Sequence, residues 1–107
     1  MYVIIMLADR DLMSDMYCGV RGDLQVQTVK DGVARGAYTM SSSGVIKCEY
    51  DLKGEDVADE MFDLTNNPGR QVEREMIYGN GRSLSVGDIV IVDGEMFACL
   101  SFGWAKL

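Results

Sequence analysis

The chain has 107 residues, seventeen Asp and Glu against ten Lys and Arg, a formal net charge of -7, and 48% hydrophobic residues. A chain of this length buries roughly 65% of the surface its unfolded form exposes, enough for one self-standing domain over residues 1–107, and the composition excludes disorder. The negative balance, unbroken by any Lys/Arg cluster, argues against direct nucleic-acid binding.

Tyr2 to Ala8 is a continuous β-favouring apolar run, too short to cross a bilayer and without a basic leader before it, so it reads as a central strand. Asp9 to Tyr17 follows as a short helix capped by Asp9 or Asp11. Leu24 to Val29 alternates apolar and polar residues, which predicts a half-exposed strand with Gln25 and Gln27 turned outward. Asp31-Gly32 is a turn signal, and Val33 to Met40 is expected to return beside that strand, bulged at Gly36. Ser41 to Gly44 reads as a polar loop, and Val45 to Tyr50 as a further strand.

The clearest helix runs from Glu55 to Thr65. Val57, Ala58, Met61, Phe62 and Thr65 recur at helical spacing on one side, and Glu55, Asp56, Asp59, Glu60 and Asp63 occupy the other,. Carboxylates in the first turn oppose the positive end of the helix dipole, and Asn66-Asn67-Pro68-Gly69 ends the ladder. Residues 70–78 fit no single pattern, and Gly79-Asn80-Gly81 reads as a flexible lead into the last segment.

In that segment, Ile89 to Val92 and Glu95 to Leu100 flank Asp93-Gly94, whose residues accept the positive φ of a two-residue type I′ turn. The turn pairs Val92 with Glu95, Ile91 with Met96, Val90 with Phe97 and Ile89 with Ala98. Both faces of this hairpin are apolar, so both must be covered. The expected fold is α+β: a twisted, mainly antiparallel sheet or partly open barrel, with the acidic amphipathic helix packed on it and the hairpin at its C-terminal end.

The N-terminal apolar strand, the acidic helix ending in Asp63-Leu-Thr-Asn-Asn-Pro-Gly69, and Arg82-Ser-Leu-Ser-Val-Gly-Asp-Ile-Val-Ile-Val-Asp-Gly94 followed by Phe102-Gly-Trp104 together resemble the YodL-like domains of phages, conjugative elements and large polyvalent mobile-DNA proteins. Arg82-Ser-Leu-Ser-Val-Gly-Asp88 is the specific part of the resemblance, which covers the C-terminal half. The family pattern often closes with Gly-Phe, where this chain has Phe102-Gly103-Trp104. The resemblance implies an origin in mobile DNA and brings no catalytic residues with it.

The chain has no histidine, which removes Ser-His and Cys-His nucleophile pairs, imidazole acid-base catalysis and most zinc sites. Cys18, Cys48 and Cys99 are scattered without metal or redox spacing, as for free thiols in a reducing compartment. No calcium loop is present. Gly79-Asn-Gly-Arg-Ser83 lacks both the lysine and the following helix of a phosphate-binding loop, and Arg21-Gly-Asp23 reads as a surface turn. Ser83, Ser85 and Asp88 are expected to cap the turn into the hairpin.

No cofactor, no metal and no enzymatic activity are expected. The functional expectation is a protein-binding module in a bacterial or archaeal cytoplasm, with no membrane partner. It inhibits a host defence or housekeeping complex by presenting Glu55, Asp56, Asp59, Glu60 and Asp63 to a basic surface on a host protein. Trp104 reads by default as a buried core indole; if exposed, it is an aromatic anchor for that partner, in a patch thickened by Tyr17, Tyr38 and methionines. The alternatives are an accessory subunit of a larger or oligomeric assembly, in which the acidic face is merely solvated, and a ligand binder or enzyme built on the turn from Arg82 to Asp88.

Overall fold

A computed structural model of the chain describes residues 1–17, 22–45 and 52–107. The hairpin forms as its sequence requires: β3 (Ile89–Val92) and β4 (Glu95–Leu100) pair in the expected register, and Asp93 and Gly94 take φ of 48° and 85°. The chain then turns again, and β5 (Gly103–Lys106) pairs antiparallel with β4. On the other side of β3 lies β1 (Tyr2–Ala8), and beyond it β2 (Tyr38–Val45), giving an antiparallel sheet in the order β2-β1-β3-β4-β5. The sheet stays open, with β2 and β5 as its edges.

Helices cover the two faces. Asp9 caps α1 (Arg10–Tyr17), its carboxylate accepting the Leu12 N–H at 2.9 Å. This bond, and then the Arg35 guanidinium at 3.0 Å, hold the Asp9 carboxyl below its usual pKa. Leu12 and Met16 turn inward. The acidic helix α3 (Gly54–Asn66) buries Val57, Ala58, Met61, Leu64 and Thr65 against Val3, Ile5, Val90, Val92 and Phe97 on the opposite face of the sheet. A short 3₁₀ turn (Pro68–Arg70) leads into α4 (Gln71–Ile77).

Residues 22–34 overturn the expected strand and hairpin: they form one helix, α2 (Gly22–Ala34). Its inward side carries Gln25, Val29 and Gly32 at spacings of four and three, with Leu24 exposed. Gln25 is buried because both ends of its amide are met by Ser101, through the hydroxyl at 2.7 Å and the backbone N–H at 3.2 Å. Gly32 lies against Leu12 of α1, and a Cβ there would sit 2.9 Å from Leu12 Cδ2, so the leucine side chain would have to shift. Rather than bulging a strand, Gly36 ends the helix. At φ 74° it sends its N–H to Val33 O and that of Ala37 to Gly32 O, the paired bonds of a glycine-terminated helix.

Ser41-Ser42-Ser43-Gly44 also departs from expectation, because it is not a loop but part of β2. An edge strand needs only one pairing partner, and the β1 backbone supplies it whatever the side chains are. Cys18, Cys48 and the strand anticipated at 46–50 lie outside the described residues.

The segment 79–88 is tied down rather than flexible. Arg74 of α4 donates to the carbonyls of Thr65, Gly79 and Gly81 at 3.3, 3.0 and 2.6 Å. Asp88, with none of its surface exposed, accepts four hydrogen bonds: two from the Arg82 guanidinium at 2.6 and 2.8 Å, one from Ser85 N–H at 2.8 Å and one from Ala8 N–H at 2.8 Å. Arg82 also reaches Ala8 O at 2.9 Å. Removing one partner of such a pair strands the other and its donors. Asp88→Ala is therefore expected to lower the unfolding free energy by ~3 kcal/mol or more, whereas Glu95→Ala, in the exposed pair with Lys106, changes it by less than about 1 kcal/mol. Urea denaturation of the two variants checks the contrast.

Candidate functional site

The surface formed by α3, the following turn and β5 contains the five carboxylates and the tryptophan singled out from the sequence as protein-binding. Burying Val57, Met61 and Leu64 directs the remaining helical positions outward, so Glu55, Asp56, Asp59, Glu60 and Asp63 are all exposed. They do not form an unencumbered row. Asp56 caps its own helix, accepting the Lys53 N–H at 3.0 Å. Glu60 and Asp63 converge with Glu73 of α4 on the Arg70 guanidinium at 2.5, 2.8 and 2.9 Å. One guanidinium against three carboxylates leaves the cluster anionic. The Glu73 carboxyl is held below its usual pKa by its hydrogen bond to Arg70, and the Arg70 pKa is raised first by Glu73, then by Glu60 and Asp63.

Trp104 is half-buried, between the core and interface placements. Its indole Nε1–H donates to Asp59 Oδ1 at 2.7 Å, and its ring meets Phe62 edge-on at 6.4 Å between centroids, 84° between planes. Asp59, Phe62 and Trp104 border a cleft of about 220 Å³ whose inner wall includes Cys99 and Leu100. Burial pushes the Cys99 thiol up to about 12, so it is protonated and a poor nucleophile at neutral pH. At the β4–β5 turn, next to this cleft, Phe102 is 94% exposed. Tyr17 and Tyr38 do not join the patch. Tyr17 bonds to Ser85, and Tyr38 packs on the other face of the sheet with its hydroxyl donating to Gly87 O at 2.5 Å.

Sequence reasoning brought out the carboxylates and Trp104 but not their pairing, and it missed the roles of Arg70, Glu73 and Phe102. A local signal for Phe102 exists: an aromatic residue immediately before a glycine in a tight turn has little chance of reaching a core. Arg70 had none, because its partners lie on two helices whose relation depends on the turn at Pro68. The segment from Arg82 to Asp88 is occupied by hydrogen bonds within the protein, and none of three clefts of about 270, 220 and 180 Å³ is lined by Arg82, Ser83, Ser85 or Asp88. Among the described residues, no three carboxylate or thiol groups converge as metal ligands, and no helix is long and apolar enough to cross a membrane.

No protein-family model matches this chain, and no curated protein or solved structure shows detectable similarity to it.

Two measurements probe this geometry. Trp104 is the only tryptophan, so fluorescence reads the site directly. Asp59→Ala releases the indole and is expected to raise acrylamide quenching of Trp104 about twofold, the energy lost being of the order of one charge-assisted hydrogen bond. The second measurement follows from a folded-state pKa of Glu73 lying below its unfolded value. That contribution is fully present above the ordinary glutamate value of 4.5 and disappears as the pH falls through the folded value. Wild type is therefore expected to melt above Glu73→Gln at pH 7, with the difference closing as thermal scans are taken to lower pH.

Proposed function

We propose that the chain is a non-enzymatic protein-binding module whose contact surface is the carboxylate side of α3 joined to Trp104 and Phe102. The hydrogen bond between Asp59 and the Trp104 indole carries this reading, because it places an anionic helix face and an exposed aromatic lip in one continuous surface. The two parts have different roles. Long-range attraction from a molecule of net charge -7 speeds the approach of a basic partner, while a desolvated aromatic side chain supplies most of the holding energy.

The partner is a host protein with a basic surface, and binding would occlude whatever that surface engages. Resemblance to the YodL-like domains supports a setting in phage or other mobile DNA, with a host defence or housekeeping complex as the target in a bacterial or archaeal cytoplasm. An accessory-subunit role is the second reading, favoured by Val72, Met76 and Ile77, which α4 leaves exposed.

Comparing three versions of the chain in capture from bacterial lysate tests the proposal: wild type, Phe102→Ala, and the triple variant Glu55→Gln, Glu60→Gln, Asp63→Asn, which spares the Asp56 cap and the Trp104 bond. A specific partner is expected to be retained by wild type at about 50 mM salt, weakened at about 300 mM, and lost roughly tenfold or more with Phe102→Ala. In the triple variant its salt dependence flattens. Equal retention by all three proteins at both salt concentrations rules this surface out.

A further inference from the structure

We propose that the open edge of β2, together with α4, forms a strand-addition site for an extended, uncharged peptide carrying aliphatic side chains at alternate positions. The site is separate from the α3–Trp104 surface. It lies at the opposite edge of the sheet, four strand spacings from β5, or ~19 Å at the usual inter-strand distance,.

The first observation is the edge itself. Among the described residues nothing pairs with the outer side of β2, so alternate residues present unsatisfied N–H and C=O groups. Protein edges are normally protected by charge, proline, shortness or a β-bulge. β5 carries such a charge in Lys106. β2 has eight residues with no charge and no proline. Its one irregularity is the register shift opposite Ile5 and Met6, where Ser41 is the extra residue. That leaves Ser42 to Val45 as the regular ladder available to a visitor.

The second observation is the groove beside this ladder. Ser42 pairs with Ile5 and Gly44 with Val3, so both face the same side of the sheet as those two buried residues, and their small size leaves space between β2 and α4. A cleft of about 270 Å³ remains, with Val3, Ile5, Met61 and Tyr78 at its base and Met76 and Ile77 of α4 as its wall. Among the described residues no charged side chain lines it, in a molecule of net charge -7. Met76 is 82% exposed and Ile77 53%. The wall is held in place, because Arg74 anchors α4 through three backbone carbonyls.

The two features select the same ligand. An unpaired edge takes an extended backbone, and the groove lies where every second side chain of that added strand would point. An aliphatic residue at those positions gains burial, whereas a charged residue there, or a nucleic-acid strand, finds no counter-charge.

Panning a random heptapeptide phage library on the immobilised full chain, followed by fluorescence polarisation of the enriched peptide, tests the site. Gly44→Leu is the blocking variant, since a Cβ at Gly44 meets no atom within 4 Å and its φ is ordinary. Met76→Glu alters a side chain already in solvent. Enriched peptides are expected to show aliphatic residues at every second position. Their affinity should fall at least tenfold with either variant and with backbone N-methylation of the peptide, and remain unchanged with Phe102→Ala. Absence of an alternating motif, or equal binding to Gly44→Leu and Met76→Glu, overturns the proposal. So does a dimer in sedimentation that Gly44→Leu dissociates, which assigns the edge to a second copy. Because Gly44→Leu leaves the α3–Trp104 surface intact, lysate capture that survives it separates failure here from failure there.

Discussion

The ion pair of half-buried Arg82 with fully buried Asp88 joins parts of the chain that hydrophobic patterning alone would leave free to slide. Taking a carboxylate wholly out of water is costly unless its oxygens are all met, and here both oxygens of Asp88 receive two hydrogen bonds. Two of the groups involved, the N–H and C=O of Ala8, belong to the end of β1, some eighty residues away. At the other end of β3, Asp93 accepts the Tyr2 N–H with its carboxylate and donates its own N–H to Tyr2 O. β1 is thus fastened to β3 at both ends by aspartates flanking the same four apolar residues. Slipping this pairing by one residue would turn Val3 and Ile5 away from α3, and it would also break both fastenings.

The same region positions α3. Its last turn is bound to the segment before β3, with Thr65 Oγ1 accepting the Leu84 N–H, Thr65 O accepting the Ser83 hydroxyl, and Asn66 donating to Leu84 O. Tyr78 adds a bond from its hydroxyl to Arg82 O. The helix cannot rotate about its axis without losing these, which is why its carboxylates stay outward and Asp59 stays within reach of Trp104. Thr65, Asn66, Tyr78, Arg82, Ser83 and Asp88 therefore maintain the fold, while the carboxylates on the solvent side of α3 stay exposed.

The two edges of the sheet differ in chemistry. The β5 edge is short, charged and roofed by an aromatic pair, which suits capture through side chains. The β2 edge is long and neutral, built from serine and glycine, and it offers mainly backbone. The proposed protein-binding surface and the proposed strand-addition edge thus lie at opposite edges of one sheet.

Local chemistry in the sequence determined the Asp93-Gly94 turn and the β3–β4 register, the strand at Tyr2–Ala8, the Asp9 cap, and an acidic helix ended by Asn67 and Pro68, because each depends on residues close together in the chain. It misread α2, whose inward side of Gln25, Val29 and Gly32 has no apolar stripe, and β2, whose side chains favour a loop. Only the folded molecule supplied what those segments needed: a serine on a distant turn for the Gln25 amide, a neighbouring helix whose Leu12 packs against Gly32, and the backbone of β1. The candidate surface divided in the same way. Its carboxylates followed from helical spacing, but their sharing of Arg70 and the bond from Asp59 to Trp104 arise only when the 3₁₀ turn and β5 bring residues 10 and 45 positions apart into contact.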